Sequence, residues 1–377
     1  MLKNPFLIYV LSFGTVFFAY QLGWSEVYPD LSWDLLLFFS LTFLYSLLFA
    51  IVVLREVRQI GQYQTGQLPN ITVLFLLAGF AADLIYTGIP LLMILDGNLY
   101  STDIGVPTLH VFNVTFGSAF STIRFADYLY SKRYRYLLEA LLPNIFFILV
   151  VYRGPVIICL VSWCFVFFIK NCLSVKRGFL IAATSLLVLY LFGVVGDIRE
   201  GAASAIEQIG KPTVEFRNSG IPPTYLWTYI YLSSPMANLQ LTVDADRFED
   251  FEDRGAVEFV VSEILPDFLS RRILPLMGTE RVKPEQVSKG LTVSTVYGRA
   301  YAIARWLGAT LMFALLTLLI VVYLQLIVRT PYAVPCLALL NTLVVFCAFQ
   351  NMIAFTGVIL QLFWPLFFYR ISRCRLY

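Results

Sequence analysis

The chain has 377 residues and a formal net charge of +3, with 59% hydrophobic, 16% aromatic and only 14% charged residues. So much apolar surface cannot be hidden in a soluble core, which excludes a soluble enzyme or binding module and indicates a multi-pass membrane protein. The small net charge gives no sign of a nucleic-acid partner; the sidedness of the charges says more.

A helical span takes roughly 17–25 apolar residues, because the hydrocarbon is about 30 Å thick and each residue rises about 1.5 Å. About ten stretches qualify, near 5–24, 31–54, 71–95, 106–128, 134–152, 155–171, 178–196, 300–328, 332–349 and 352–369. The first follows a single lysine and precedes no small-x-small cleavage pattern, so it reads as a retained helix. The fourth is weakly apolar. The run from Leu137 to Ile169 is too long for one ordinary helix and turns at Gly154-Pro155, which sets Arg153 at a hairpin tip. Lys3, Arg55, Arg58, Lys132, Arg133, Arg135, Lys170 and further basic residues collect at one set of ends, while the opposite short loops carry Arg153 alone. The positive-inside bias then puts both termini in the cytoplasm and the Arg153 turn outside.

The expected organisation is a membrane part over 1–196, a large outer loop over 197–299 and a second membrane part over 300–377. A connection of that length needs structure of its own. Its acidic cluster from Asp244 to Glu258 lacks the order of a calcium loop and reads as a solvated face. The six cysteines fall in spans or cytoplasmic ends, with no metal spacing and no disulfide framework for the loop. The apolar stretch from Pro222 to Leu241, with Tyr225, Trp227, Tyr229 and Tyr231, suits the membrane interface or a re-entrant cavity. Its aromatics can anchor at headgroup depth or stack on sugar rings. Pro266 to Leu276 reads as a short amphipathic surface helix.

Charges within spans are costly, about 2.5–3.5 kcal/mol for an arginine at a helix centre, so each needs a reason. Asp83 lies in the third span, His110, the single histidine, near the outer start of the fourth, and Arg124 with Asp127 at its inner end. Arg124 and Asp127 read as a structural pair. Tyr297, Tyr301 and Arg305 are spaced by four, which places them on one helical face. Snorkelling at a hairpin end is the plain explanation of Arg153, and a buried structural pair that of Asp83 and Arg305. Arg153, Arg199, Arg217, Arg299 and Arg305, however, all belong at or just below the outer face. Several guanidinium forks at one level suit an oligophosphate headgroup such as that of a lipid diphosphate.

Four stretches resemble the Wzy-type O-antigen polymerases. They are Asp83 to His110 (DLIYTGIPLLMILDGNLYSTDIGVPTLH), Tyr152 to Pro155 (YRGP), Tyr229 to Asn238 (YIYLSSPMAN) and Leu291 to Ala309 (LTVSTVYGRAYAIARWLGA). Two departures stand out: Ala304-Arg305-Trp306-Leu307-Gly308 replaces an Asp-Phe-Gly common in that family, and Asp83 stands where a glutamate is common.

The resemblance implies an all-α, GT-C-like membrane glycosyltransferase that uses no metal or other cofactor. It would transfer a growing glycan from undecaprenyl diphosphate to a second lipid-linked repeat unit at the periplasmic face of a bacterial inner membrane, with a chain-length regulator and a flippase as partners. Grouped cations could stabilise the departing diphosphate, and the acceptor hydroxyl needs a base. The candidates for base or acceptor contact are Asp83, His110, Asp197 and Glu215. Those for substrate binding are Arg153, Arg199, Arg217, Arg299 and Arg305, with Tyr231, Tyr297 and Tyr301. An O-antigen ligase would share the donor and these arginines, and a flippase or transporter is the rival outside enzymes. The lack of an internal repeat weighs against a transporter.

Overall fold

The computed structural model describes residues 3–60, 63–95, 105–171, 190, 193–194, 197, 205–245 and 255–374. All regular structure among them is helical; the single β-type contact is an isolated bridge between Ser25 and Pro212. In chain order the helices are α1 (Pro5–Tyr20), α2 (Trp33–Val52), α3 (Leu54–Gln59), α4 (Ile71–Thr87), α5 (Pro90–Leu95), α6 (Leu109–Ser131), α7 (Tyr134–Leu149) and α8 (Arg153–Lys170). Then follow α9 (Ala205–Gly210), α10 (Val214–Asn218), α11 (Tyr225–Asp244), α12 (Gly255–Phe259, running into a π turn at Val260–Ile264) and α13 (Asp267–Leu276). The last are α14 (Gly298–Ile327), α15 (Ala333–Phe346), α16 (Thr356–Ile359) and α17 (Phe363–Cys374).

Four helical segments, Trp33–Val52, Ile71–Met93, Arg153–Lys170 and Gly298–Ile327, are long and apolar enough to cross a membrane, and Pro5–Tyr20, Ala333–Phe346 and Thr356–Ile371 are shorter apolar helices. Leu37, Leu44, Leu48 and Ile51 project from α2 with no protein cover, as expected of a helix whose outer face meets lipid. The expected seventh span near 178–196 falls almost wholly outside the described residues. In the stretch expected as a tenth span, near 352–369, the apolar helix begins at Thr356 and includes a 3-10 turn at Leu360–Leu362.

Local chemistry starts the helices. Asn4 caps α1, accepting from the Phe6 amide at 3.1 Å, with Pro5 in the first turn where no amide donor is needed. The Asn4 amide also donates to Ala50 O at 2.8 Å, tying the start of α1 to the end of α2. Ser32 caps α2.

The weak apolarity of the fourth span has a structural reason. α6 sits inside the bundle, packed on α4, α7, α8 and α15, and its polar side chains face protein. Ser121 Oγ donates to Ala140 O at 2.8 Å, and Ser118, Thr122 and Thr115 are fully buried. At one end of α6, Arg124 joins two helices. Its Nη1 donates to Asp127 Oδ2 at 3.0 Å, and its Nε lies 2.8 Å from Glu139 Oε2 as an ion pair without hydrogen-bond alignment. Asp127 also accepts from the Tyr63 hydroxyl at 3.0 Å and the Gly66 amide at 2.9 Å, which secures the loop before α4. The expected Arg124–Asp127 pair is therefore present and structural.

α11 is buried around much of its circumference and packs on α1 and α14. Its Asn238 donates to Leu291 O at 2.6 Å and Val293 O at 2.8 Å, and accepts from the Val287 amide at 2.9 Å. In α14 the fourfold spacing of Tyr297, Tyr301 and Arg305 does not give one face. The helix breaks at Ala304 (φ −139°, ψ 22°) and Arg305 (φ 49°, ψ −139°), so Tyr297 and Tyr301 are buried while Arg305 is exposed.

Candidate functional site

The end of the bundle opposite the Arg124 network holds a carboxylate with no access to solvent. Asp83, in the last turns of α4, is fully buried and accepts three hydrogen bonds. These come from the Val106 amide at 2.9 Å, His110 Nδ1 at 3.0 Å and Asn113 Nδ2 at 2.8 Å. Hydrogen bonds to a charged group contribute about 1.5–3 kcal/mol each, so three of them offset a desolvation penalty of several kcal/mol. Two glycines make the approach possible. Gly105, at φ +77°, passes so close that a Cβ there would lie 2.6 Å from Asp83 Oδ1 and 2.5 Å from His110 Nδ1. A Cβ on Gly79 would lie 2.3 Å from Asn113 Oδ1.

An ionised Asp83 is acceptor only, so the His110 tautomer it selects carries the proton on Nδ1. That leaves the Nε2 lone pair unused among the described residues. His110 lines a cavity of about 140 Å³ together with Val114, Tyr152, Phe268, Arg271 and Thr356. Its ring stacks on that of Tyr152, centroids 6.0 Å apart and planes 24° apart. The far wall is α13, secured by the bond from Asp267 N to Ala354 O at 2.7 Å and from Phe268 N to Thr356 Oγ1 at 3.2 Å. An imidazole oriented by a carboxylate at the edge of a cavity can take a proton on its second nitrogen from a hydroxyl placed there.

The other anticipated residues scatter. Arg153 is exposed at the start of α8, one residue after Tyr152, and does not line this cavity. Arg199 lies outside the described residues. Arg217 and Glu215 are exposed on the short helix α10. Arg299 is engaged: its Nε lies 3.2 Å from Oε1 of the buried Glu263, whose Oε2 accepts from Asn351 Nδ2 at 2.8 Å. Burial pushes the Glu263 carboxyl above its ordinary value, although Arg299 and Asn351 pull the other way. Tyr297 belongs to an aromatic core with Phe13, Phe38 and Phe39, where its hydroxyl meets that of Tyr9 at 2.6 Å. Tyr301 is buried edge-on against Trp306, and Tyr231 is half-buried beside Trp227. Tyr297 and Tyr301 are thus buried in the core. Asp197 accepts from Trp227 Nε1 at 2.7 Å.

The cavity's arginine, Arg271, was not singled out by sequence. The signal present was α13's amphipathic pattern, in which Arg271 is one cation among several. Together these features define an all-helical protein with membrane-type helices and a carboxylate-imidazole pair facing a small cavity at one end of its bundle. Compared with known proteins, the chain matches no family model, no curated protein and no solved structure.

Proposed function

We propose that this protein is a membrane glycosyltransferase that polymerises undecaprenyl-diphosphate-linked oligosaccharide repeats at the outer face of a bacterial inner membrane, with about ten spans and both termini in the cytoplasm. The observation that supports this reading is the buried Asp83 bonded to Nδ1 of His110, a residue that lines the cavity. In the reaction the acceptor sugar hydroxyl gives its proton to His110 Nε2, and its oxygen attacks the anomeric carbon of the donor glycan. The bond from that carbon to the diphosphate oxygen breaks, and the diphosphate leaves with the electron pair. Asp83 positions the imidazole and stabilises it once protonated. The sequence resemblance supplies the lipid carrier and the polymeric product.

The test is sugar transfer by the purified, reconstituted chain supplied with a synthetic lipid-diphosphate-linked repeat. The expected product is a ladder of multiples of the repeat, and His110→Gln and Asp83→Asn should each cut its rate by about 10²–10⁴-fold, the usual contribution of a general base. Transfer only to a lipid A-core acceptor would make the protein a ligase. Movement of the lipid without bond formation would make it a carrier.

A further inference from the structure

One cation in the wall of the His110 cavity has no paired carboxylate among the described residues. α13 contributes two ionic side chains to its wall, Asp267 and Arg271. Asp267 is already taken, because Arg281 Nη2 donates to its Oδ1 at 2.6 Å while also reaching Ser262 O at 3.1 Å and Ser270 Oγ at 3.2 Å. Asp83, the other nearby carboxylate, is buried and holds three donors of its own. Among the described residues no carboxylate pairs with Arg271.

The neighbouring arginine keeps this cation in place. Arg272 Nη2 donates to Thr108 Oγ1 at 2.8 Å, pinning α13 to the residue that precedes α6. Two hydroxyls complete the wall. Thr356 Oγ1 already accepts from Phe268 N, which leaves its own proton to donate, and the Tyr152 hydroxyl also lines the space. Between these groups lie Val111, Val114, Phe268 and Phe355, whose apolar surface lowers the local dielectric and strengthens any attraction to Arg271. The cavity, of about 140 Å³, has room for a compact anion.

We propose that this cavity is an oxyanion site of the phosphate class, in which Arg271 presents its guanidinium fork and Thr356 and Tyr152 donate from the other walls. In identifying an oxyanion the inference stands on Arg271, which pairs with no carboxylate among the described residues, and on the two hydroxyl residues in the same wall. In identifying the anion with the departing diphosphate it rests on the glycosyl-transfer reading.

The test is calorimetric titration of the purified full-length chain with inorganic pyrophosphate and, separately, orthophosphate. The wild type should bind one pyrophosphate per chain. Arg271→Gln should weaken that binding by about tenfold or more, the loss expected for one charge-assisted contact. Arg271→Lys should retain part of it, keeping the charge without the fork. Arg133→Gln removes the same charge at the other end of the bundle and should bind as the wild type does. Because Arg271 is exposed and no carboxylate pairs with it among the described residues, its removal strands no charge, and an unchanged elution profile checks the fold.

Pyrophosphate binding that is absent in the wild type, or equal in Arg271→Gln, overturns the site. Binding of pyrophosphate but not orthophosphate favours a diphosphate ligand, and equal binding of both favours a free phosphate; either supports the oxyanion site. Arg271-dependent binding in a protein that transfers no sugar keeps the site and ends the polymerase reading. Polymerisation at full rate by Arg271→Gln would do the opposite.

Discussion

Asp83 and His110 stand 27 positions apart in the chain and 3.0 Å apart in space. Each was conspicuous in the sequence, as an ionisable group within apolar surroundings, yet their pairing was not legible there. It depends on the backbone at Gly105 and Val106 delivering an amide to the same carboxylate, and no period or spacing encodes that path. Arg271 was hidden for the converse reason, since a cation on an amphipathic helix looks solvated until the neighbouring wall is known. Glu263 was equally silent, and its burial carries a pH consequence. The folded protein holds the Glu263 proton more tightly than the unfolded chain does, so unfolding releases that proton and rising pH favours unfolding. This stabilising contribution is complete below the ordinary glutamate value of 4.5 and is lost as pH climbs toward the raised value. Glu263→Gln cannot titrate, so its thermal midpoint should fall less steeply than that of the wild type as pH rises from 4.5. Parallel slopes in thermal melts of the two proteins would contradict this.

At the scale of whole helices, hydropathy located most of the apolar segments and misjudged the meaning of polarity. α6 reads as a poor span because Asn113, Ser118, Ser121, Thr122, Arg124 and Asp127 interrupt it, and of these Asn113, Ser121, Arg124 and Asp127 bind it to its neighbours. The α14 phase error has a similar origin: fourfold spacing assumes continuous helix, and the backbone at Ala304–Arg305 is not helical. The segment entering α6 gives the sharpest test of how the pair is built. An L-residue is strained at the φ of +77° that Gly105 adopts, and its Cβ would strike both Asp83 and His110. Gly105→Ala should therefore cost about 1–3 kcal/mol of stability and reduce turnover as the removal of His110 does, with no titratable group changed. Gly14, inside α1 with open space where a Cβ would go, provides the contrast, and Gly14→Ala should stabilise by about 0.5–1 kcal/mol. Thermal melts together with the transfer assay distinguish the two.

At the scale of the whole molecule, the loop lysines and the cavity lie at opposite ends of the bundle. Lys132 and Arg133, in the turn between α6 and α7, and Lys170, at the end of α8, share one end of the bundle, where Lys170 reaches over to the Leu129 carbonyl and the ring of Tyr130. Thr108, Tyr152 and α13, with the cavity between them, share the other. The proposed function, with the positive-inside bias, expects the cavity on the outer side, where a lipid-linked glycan would meet it. Cysteine labelling tests the arrangement without reference to catalysis. In a background lacking Cys164, Cys172 and Cys374, Glu280→Cys, just beyond α13, should react in intact cells with a maleimide that cannot cross the membrane. Lys132→Cys, at the opposite end, should react only after the cells are permeabilised. Both positions are exposed, so a difference between them reports sidedness rather than burial. The reverse pattern would put the His110 cavity in the cytoplasm and remove the ground for polymerisation at the outer face. The buried Asp83–His110 pair would then need a substrate delivered from inside the cell.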